Sequence, residues 1–344
     1  MAFISVIMVG YNAEAYLPRA LRCLLAQKYQ DYELIFVNNG STDSTANIIE
    51  SFQKNHPKIC MKVGRVAVND GLPYGRNVGL SLATGQYVMF HDVDDWMDTD
   101  CLEVLAHTAC LNSPKRIIQQ VRMVDDTGKE LEILRYPENA SRWSKYMLQG
   151  DLFLRDVITE NGLYFEKEAF YDDFYFVCRF NSVTKNARFI NETYYNMCMH
   201  EHSLTHRVGA NLGYYPSCLE KTFRALTGIW GKLSDECEKR SYEYSCIQMY
   251  YYLVFHSVEM TFMQKVSEYE SLNKIMNTYY PLYLKNSNVK LYLPNGFRGH
   301  FKRNIWICNK AEKVDKVFHF PIIMILILFI YHIALRLRLY KYKA

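Results

Sequence analysis

Asp92-Val93-Asp94 is the point in this sequence where residue type and spacing most directly suggest chemistry. Two carboxylates at i and i+2 on a tight turn can face one divalent cation and a ribose together. Oxygen donors and partial hydration suit Mg²⁺ or Mn²⁺, bridged to a diphosphate. Acidic loops are common and usually solvated, so the pair draws its weight from position. It follows Gln86 to Phe90, a short apolar run that reads as a buried strand. Asp95 fits a helix cap or loop support better than a third ligand. Cys198, His200 and His202 could be read as zinc ligands on one strand face. Three ligands so close, with no distant partner pair, make a poor tetrahedral site.

The elements that must position these residues alternate. Ile4 to Gly10, Glu33 to Val37, Val63 to Val68 and Gln86 to Phe90 are short, β-rich runs stopped by turn residues. Between them lie amphipathic stretches. Pro18 suits the first position of a helix, and Leu21, Leu24 and Leu25 give it an apolar face. Thr42 or Asp43 can cap a helix through Phe52, and Arg76 to Ala83 is helical after a Gly71–Gly75 loop. This alternation predicts an α/β fold with a mostly parallel sheet and helices on both faces. Ligands in such folds sit outside the carboxyl ends of the strands. Tyr11-Asn12, Asn38-Asn39-Gly40 and Asp92-Val93-Asp94 all fall there. No GxGxxG follows the first strand and no GxxxxGK[ST] occurs, which excludes a dinucleotide fingerprint and a P-loop.

After residue 97 the pattern is mixed. Ile117 to Val124 and Lys129 to Leu134 read as a hairpin around Asp126-Thr127-Gly128, and Asp151 to Thr159 reads as helical. From Leu219 to about Ile275 the composition is helical and aromatic, interrupted near Gly228 and Gly231. A boundary near 210–218 divides the chain into residues 1–215, a helical extension 216–316 and a tail 317–344.

The chain has 344 residues, with 49% hydrophobic and 22% charged, which gives a sizeable core and excludes a disordered chain. Its net charge of +4 is low for a nucleic-acid binder. That average hides an asymmetry. The segment from Pro281 onward holds 12 Lys+Arg against 2 Asp+Glu, which leaves the rest mildly acidic. Residues 317–335 contain no Lys, Arg, Asp or Glu, and Arg336, Arg338, Lys341 and Lys343 follow. A membrane-attaching helix with a cytoplasmic basic flank is expected, with a buried core helix as the alternative. The ten cysteines show no regular spacing, and the N-terminus lacks a basic region before its apolar run. A cytosolic chain with reduced thiols is expected, on the inner face of the membrane. The 28 tyrosines suit sugar contacts or a tyrosine-rich core.

Several ordered blocks resemble family 2 glycosyltransferases. They are Ser5-Val6-Ile7-Met8-Val9-Gly10-Tyr11-Asn12, Leu25-Ala26-Gln27-Lys28-Tyr29 and Glu33-Leu34-Ile35-Phe36-Val37-Asn38-Asn39-Gly40-Ser41-Thr42-Asp43. Gly75-Arg76-Asn77-Val78-Gly79-Leu80, Ala83-Thr84-Gly85-Gln86-Tyr87-Val88 and Phe90-His91-Asp92-Val93-Asp94-Asp95-Trp96 continue the likeness. It covers roughly residues 3–206. The resemblance implies a GT-A fold and transfer of a sugar from a nucleotide-sugar with inversion. It places Tyr11, Asn38 and Asn39 near the base, Arg76 at the nucleotide or its loop, Asp92 at ribose and metal, and Asp94 on the metal. Phe170-Tyr171-Asp172-Asp173-Phe174 resembles the family's acidic pair, with Asp172 in place of the usual Glu and Asp173 as the general base. Asp172 or Asp173 could instead cap the following helix. His200 begins a His-x-x-Ser-x-Thr block with Ser203 and Thr205, and implies a diphosphate or metal contact.

Two departures stand out. Asn38-Asn39 replace two aspartates, and Gly10 replaces a proline. An asparagine amide can still pair with a uracil edge, so a UDP-sugar remains the favoured donor. The expected acceptor is a lipid-linked glycan of a bacterial surface polysaccharide. The lost charge leaves a second reading, a membrane-associated glycan or nucleotide-sugar binder with impaired catalysis.

Overall fold

The computed structural model describes residues 2–136, 140–167, 172–200, 214–256, 260–290, 299–318 and 321–331. The chain divides into two compact units. One comprises Met1–Lys167 with Tyr171–Glu201, and the other Glu168–Phe170 with His202–Ala344.

The first unit is built on a nine-stranded sheet among the described residues. The elements run β1 Ile4–Gly10, α1 Leu17–Leu25, β2 Tyr32–Asn39, α2 Thr45–Asn55, β3 Cys60–Val66, α3 Leu72–Leu82 and β4 Tyr87–Phe90. Then follow β5 Trp96–Met97, α4 Cys101–Cys110, β6 Arg116–Val124, β7 Glu130–Leu134, β8 Leu152–Leu154, α5 Arg155–Glu160, α6 Asp172–Val183 and β9 Ala187–Cys198. The strand order is β3-β2-β1-β4-β8-β6-β9-β5, with β7 hydrogen-bonded to β6.

The first four strands pair in parallel, as the alternating pattern predicts. Beyond β4 the sheet changes character. β8 joins β4 and β6 in antiparallel fashion, β7 and β5 are antiparallel to their neighbours, and β6 and β9 are parallel. The sheet is therefore mixed, not mostly parallel. Leu152-Phe153-Leu154, expected to be helical, is the cause. These residues are buried and bridge two strands, so sheet hydrogen bonding overrides a weak local helical signal. Only α5 from Arg155 keeps the helix expected there. The hairpin of β6 and β7 forms as predicted.

Helix α3 begins at Leu72, four residues before the expected start, with Pro73 in its first turn. Its two glycines explain how close it lies to the sheet. A Cβ on Gly75 would stand 2.4 Å from Val9 Cγ1, and one on Gly79 would stand 2.4 Å from Ile7 Cγ2. Glycine at both positions lets the helix settle on β1 and carries Arg76 to the end of the strand.

The second unit is helical: α7 Tyr214–Lys232, α8 Glu236–His256, α9 Phe262–Tyr279, α10 Gly299–Phe318 and α11 over residues 322–331. Helix α7 runs straight through Gly228 and Gly231, where an added Cβ would meet nothing. Thr261 and Gln264 close the start of α9 with a reciprocal capping box. The tyrosines find their role here. Glu312 on α10 is buried and accepts hydrogen bonds from the hydroxyls of Tyr250, Tyr251, Tyr269 and Tyr283. One carboxylate thus ties α8, α9 and the turn at Tyr283–Lys285 to α10. Burial pushes that carboxyl up, while the four hydroxyls pull it down. Among the described residues no helix is long and apolar enough to cross a membrane.

Candidate active site

The site is assembled at the carboxyl ends of β1, β2 and β4. The register sets Gly10 beside Asn38 and Ile7 beside Phe90, so the three following loops emerge on one rim. The first two loops are laced together by side chains. The Asn12 N–H donates to Ser41 Oγ at 3.0 Å, and the Thr42 N–H donates to Asn12 Oδ1 at 2.9 Å. The Ala13 N–H donates to Thr45 Oγ1, the Glu14 N–H to Asp43 Oδ2, and the Ser44 N–H to Glu14 Oε2. Gly40 has φ +75°, and a Cβ there would stand 2.5 Å from the Asn69 nitrogen, so the β2–α2 turn can approach the β3–α3 loop only as glycine.

The asparagine pair has two distinct roles. Asn38 Oδ1 accepts from the Ser41 N–H at 3.0 Å and shapes its own turn. Asn39 is buried, and its amide donates to Asn69 Oδ1 and to the Gly71 carbonyl, both at 3.0 Å. An aspartate has no N–H to make these bonds. The departure from aspartate therefore matches the acceptors that the β3–α3 loop presents. Asn39 Oδ1 is buried and makes no hydrogen bond among the described residues. Tyr11 is half exposed on the same rim. Gly10 leaves room for the Phe36 ring, whose Cζ would lie 2.7 Å from an added Cβ.

The acidic residues converge on Arg76. Its guanidinium is buried and donates to Asp172 Oδ2 at 2.7 Å and to Asp92 Oδ1 at 3.2 Å. The Phe165 ring lies under it, 5.4 Å from its centroid. Burial opposes this charge, but Asp172, Asp92 and Asp173 more than offset it and hold the guanidinium protonated. Asp172 and Asp173 open α6, where the helix dipole favours acidic side chains. Asp173 Oδ1 accepts from the adjacent Phe174 N–H at 2.8 Å. Burial and the neighbouring Asp172 charge push the Asp173 carboxyl up to about 7, against the pull of Arg76 and the Phe174 N–H. A carboxylate that titrates there is placed well to take a proton.

Asp94 and His200 form the other half. His200 Nε2 lies 2.8 Å from Asp94 Oδ2, its Nδ1 lies 3.1 Å from the Tyr16 hydroxyl, and the two rings stack at 4.6 Å. Arg19 donates to the Asp94 carbonyl at 2.6 Å and lies over the Trp96 ring. Asp94 Oδ1 makes no hydrogen bond among the described residues. His202, Ser203 and Thr205 lie outside the described residues.

Beneath the loop sits a buried support. The Tyr195 hydroxyl donates to Asp95 Oδ2 at 2.8 Å and accepts from the Asp92 N–H at 3.2 Å. The Cys198 N–H donates to Asp95 Oδ1. Asp95 is thus a loop support, as its position in the sequence suggests. Burial, with the charges of Asp94 and Asp92, holds its carboxyl well above the usual range. His91 Nδ1 lies 3.1 Å from the same hydroxyl, and burial pulls its imidazole down to about 4, leaving it neutral.

Gln149, which no motif marks, completes the set. Its Nε2 donates to Asp92 Oδ2 at 2.8 Å. Its own carbonyl is held by Lys145 Nζ, which also reaches Asp151, and Asp151 pairs with Arg116. These last three side chains are buried in the same unit. Sequence spacing could not reveal Gln149, because 57 residues separate it from Asp92.

Among the described residues no group of three or more His, Cys, Asp or Glu is placed to hold a metal ion alone. Two carboxylates, Asp92 and Asp94, suit a hard cation that keeps waters and shares the oxygens of a diphosphate.

Residues 5–181, more than half of the chain, match the family model described as glycosyl transferase family 2. The chain belongs to glycosyltransferase family 2. An uncharacterized glycosyltransferase of Haemophilus influenzae is 40% identical over 103 residues, which span 30% of this chain and 40% of that one. The poly(ribitol-phosphate) beta-N-acetylglucosaminyltransferase TarS of Staphylococcus aureus is 28% identical over 174 residues, 48% of this chain and 30% of that one. These matches therefore cover less than half of each relative. Among solved structures, TarS 1–349 in complex with UDP-GlcNAc superposes with a TM-score of 0.67 at 19% identity, over 93% of both chains. A mannosyltransferase of Pyrobaculum calidifontis in complex with GDP-Man and Mn²⁺ gives a TM-score of 0.53 at 14% identity, over 90% of this chain and 88% of that one. At these identities the structural likeness shows the fold, a GT-A-like α/β sheet in this family 2 member.

Proposed function

We propose that this family 2 chain transfers a sugar, with inversion, from a nucleotide-sugar to a hydroxyl of a glycan acceptor. The observation that carries this reading is the Arg76 bridge, which joins the Asp92 loop to the acidic start of α6. Donor residues and a candidate base then share one site. The donor subsite comprises Tyr11, Asn38, Asn39, Arg76 and His200. A uracil nucleotide is favoured, since the half-buried Asn38 amide can meet its edge and a related fold binds UDP-GlcNAc.

Asp173 takes the proton of the acceptor hydroxyl. The oxygen attacks the anomeric carbon from the face opposite the leaving group, the bond to the diphosphate oxygen breaks, and the nucleoside diphosphate departs. Asp172 and Arg76 keep Asp173 in position. Mn²⁺ or Mg²⁺ held by Asp94 and Asp92 would neutralise the departing diphosphate. The acceptor is proposed as lipid-linked, in bacterial surface polysaccharide synthesis on the cytoplasmic face of the membrane. The apolar stretch 317–335 and its basic flank support the membrane part.

The test is to incubate the full chain with UDP- and GDP-sugars and Mn²⁺, with and without membrane lipid extract, and to measure free nucleoside diphosphate. Release with a UDP-sugar is expected. No release with any donor, alongside donor binding, would favour the impaired binder.

A further inference from the structure

Helix α11 presents two unlike faces. Its N-terminus is pinned by Asp315, whose carboxylate accepts from the Ile323 and Met324 N–H groups, both at 2.9 Å. One face carries Met324 and Leu328, both fully buried. On this face the Tyr331 ring touches Phe255 at 4.9 Å, while at the edge of the other the Phe329 ring touches Phe262 at 5.2 Å. The opposite face carries Ile322, Leu326, Phe329 and Ile330, which are between 44% and 59% exposed. Their spacing of four, three and one makes a single stripe on a helix. Met263, next to Phe262 in sequence, is also exposed.

Surface leucines and isoleucines occur singly in most proteins, but a stripe of this kind marks a docking surface. Charge decides what fits it. Lys310, Lys313 and Lys316 are exposed on α10 just before the stripe. In the sequence Arg336, Arg338, Lys341 and Lys343 come just after, interleaved with Tyr340 and Tyr342. A second copy would set one cationic flank against another, because a twofold contact pairs like with like. An anionic lipid surface matches both the apolar stripe and the cationic flanks.

We propose that α11 lies in the plane of an anionic bilayer, with Ile322, Leu326, Phe329 and Ile330 inserted, while Met324 and Leu328 remain packed in the helical unit. This rests on the membrane reading above and specifies its geometry. Through the described residues 322–331 the helix keeps one face, Met324 and Leu328, fully buried, so it is not surrounded by lipid. The capped N-terminus and the packed face are already committed to protein. The described part of the helix therefore lies along the interface.

The experiment uses the full chain and vesicles of phosphatidylcholine, with and without phosphatidylglycerol. Co-sedimentation with the anionic vesicles is expected, and raised salt should weaken it. The Leu326→Glu/Ile330→Glu double variant should lose at least about tenfold in partitioning, because two apolar side chains leave the lipid. Its helical circular dichroism should match wild type, and Leu326→Met should bind normally. In Leu326→Trp, bromines near the headgroup should quench the new fluorescence more than bromines at the chain ends. If the wild type binds but the double variant binds equally well, this face is not the contact, while the membrane reading stands. Stronger quenching from the chain ends would overturn the in-plane placement. If the wild type binds no vesicle, both readings fail, and a dimer that the double variant dissociates would assign the face to a second copy.

Discussion

Arg76 Nη1 donates to Asp172 Oδ2 at 2.7 Å across 96 residues of chain, and the same guanidinium reaches Asp92. Two loops that carry opposite halves of the proposed chemistry are thereby held by one buried cation. Arg76→Ala leaves two or three carboxylates facing each other with no counter-charge. A loss of about 3–5 kcal/mol is expected from breaking a buried pair. Donor binding should weaken with it, because the Asp92 loop loses its brace. Urea denaturation and donor titration check both. Unchanged stability would show that the bridge carries no weight.

Asp173→Asn removes the proton acceptor and keeps the side-chain shape. Transfer should fall by about 10²–10⁴-fold with donor affinity retained. Steady-state kinetics beside calorimetric donor binding decide this, and retained transfer would remove Asp173 from the base role.

The same carboxyl sets a pH dependence. Its folded value, about 7, is above its unfolded one, so the folded state binds the proton more tightly. Its contribution to stability is therefore present at low pH and declines as pH rises from the ordinary carboxylate range to about 7. Asp173→Asn should flatten that decline in denaturation midpoints taken across this window. The activity profile should show an acid limb at or below about 7, since a cation at Asp92 and Asp94 can only draw the limb down. An activity that rises as pH falls through this window would contradict the assignment.

Asp94→Ala should abolish metal-dependent donor binding, because both oxygens of the remaining ligand, Asp92, already accept from Arg76 and Gln149. Calorimetry with a UDP-sugar and Mn²⁺ reads this directly. Equal affinity with and without the substitution would place the cation elsewhere.

Tyr195→Phe deletes the hydroxyl shared by Asp95, the Asp92 N–H and His91. Leaving these buried groups short of a partner should cost about 1–3 kcal/mol. Metal-dependent donor affinity should fall too, since the loop that carries Asp92 and Asp94 rests on this hydroxyl. A stability loss with unchanged donor affinity would make Tyr195 a fold residue only.

The amino-acid sequence by itself determined the first four strands, the three rim loops and the candidate residues at their ends. Periodicity and glycine placement are local signals, and Asp92-Val93-Asp94 has its meaning as soon as a strand precedes it. Local composition also marked residues 219–275 as helical, though the expected interruption at Gly228 and Gly231 lies inside one helix. The tertiary structure alone decided what is non-local. Leu152-Phe153-Leu154 became a strand because two neighbours offered unpaired backbone groups, and that made the sheet mixed. Gln149 and Tyr195 reach the Asp92 loop from 57 and 103 residues away, beyond any motif. Glu312 drew four tyrosines inward because a buried carboxylate must be satisfied, turning a compositional excess into a core. The apolar run near the end of the chain shows the same division. Composition marked it as unusual, but only packing could divide it into a buried face with Met324 and Leu328 and an exposed one with Ile322, Leu326 and Ile330.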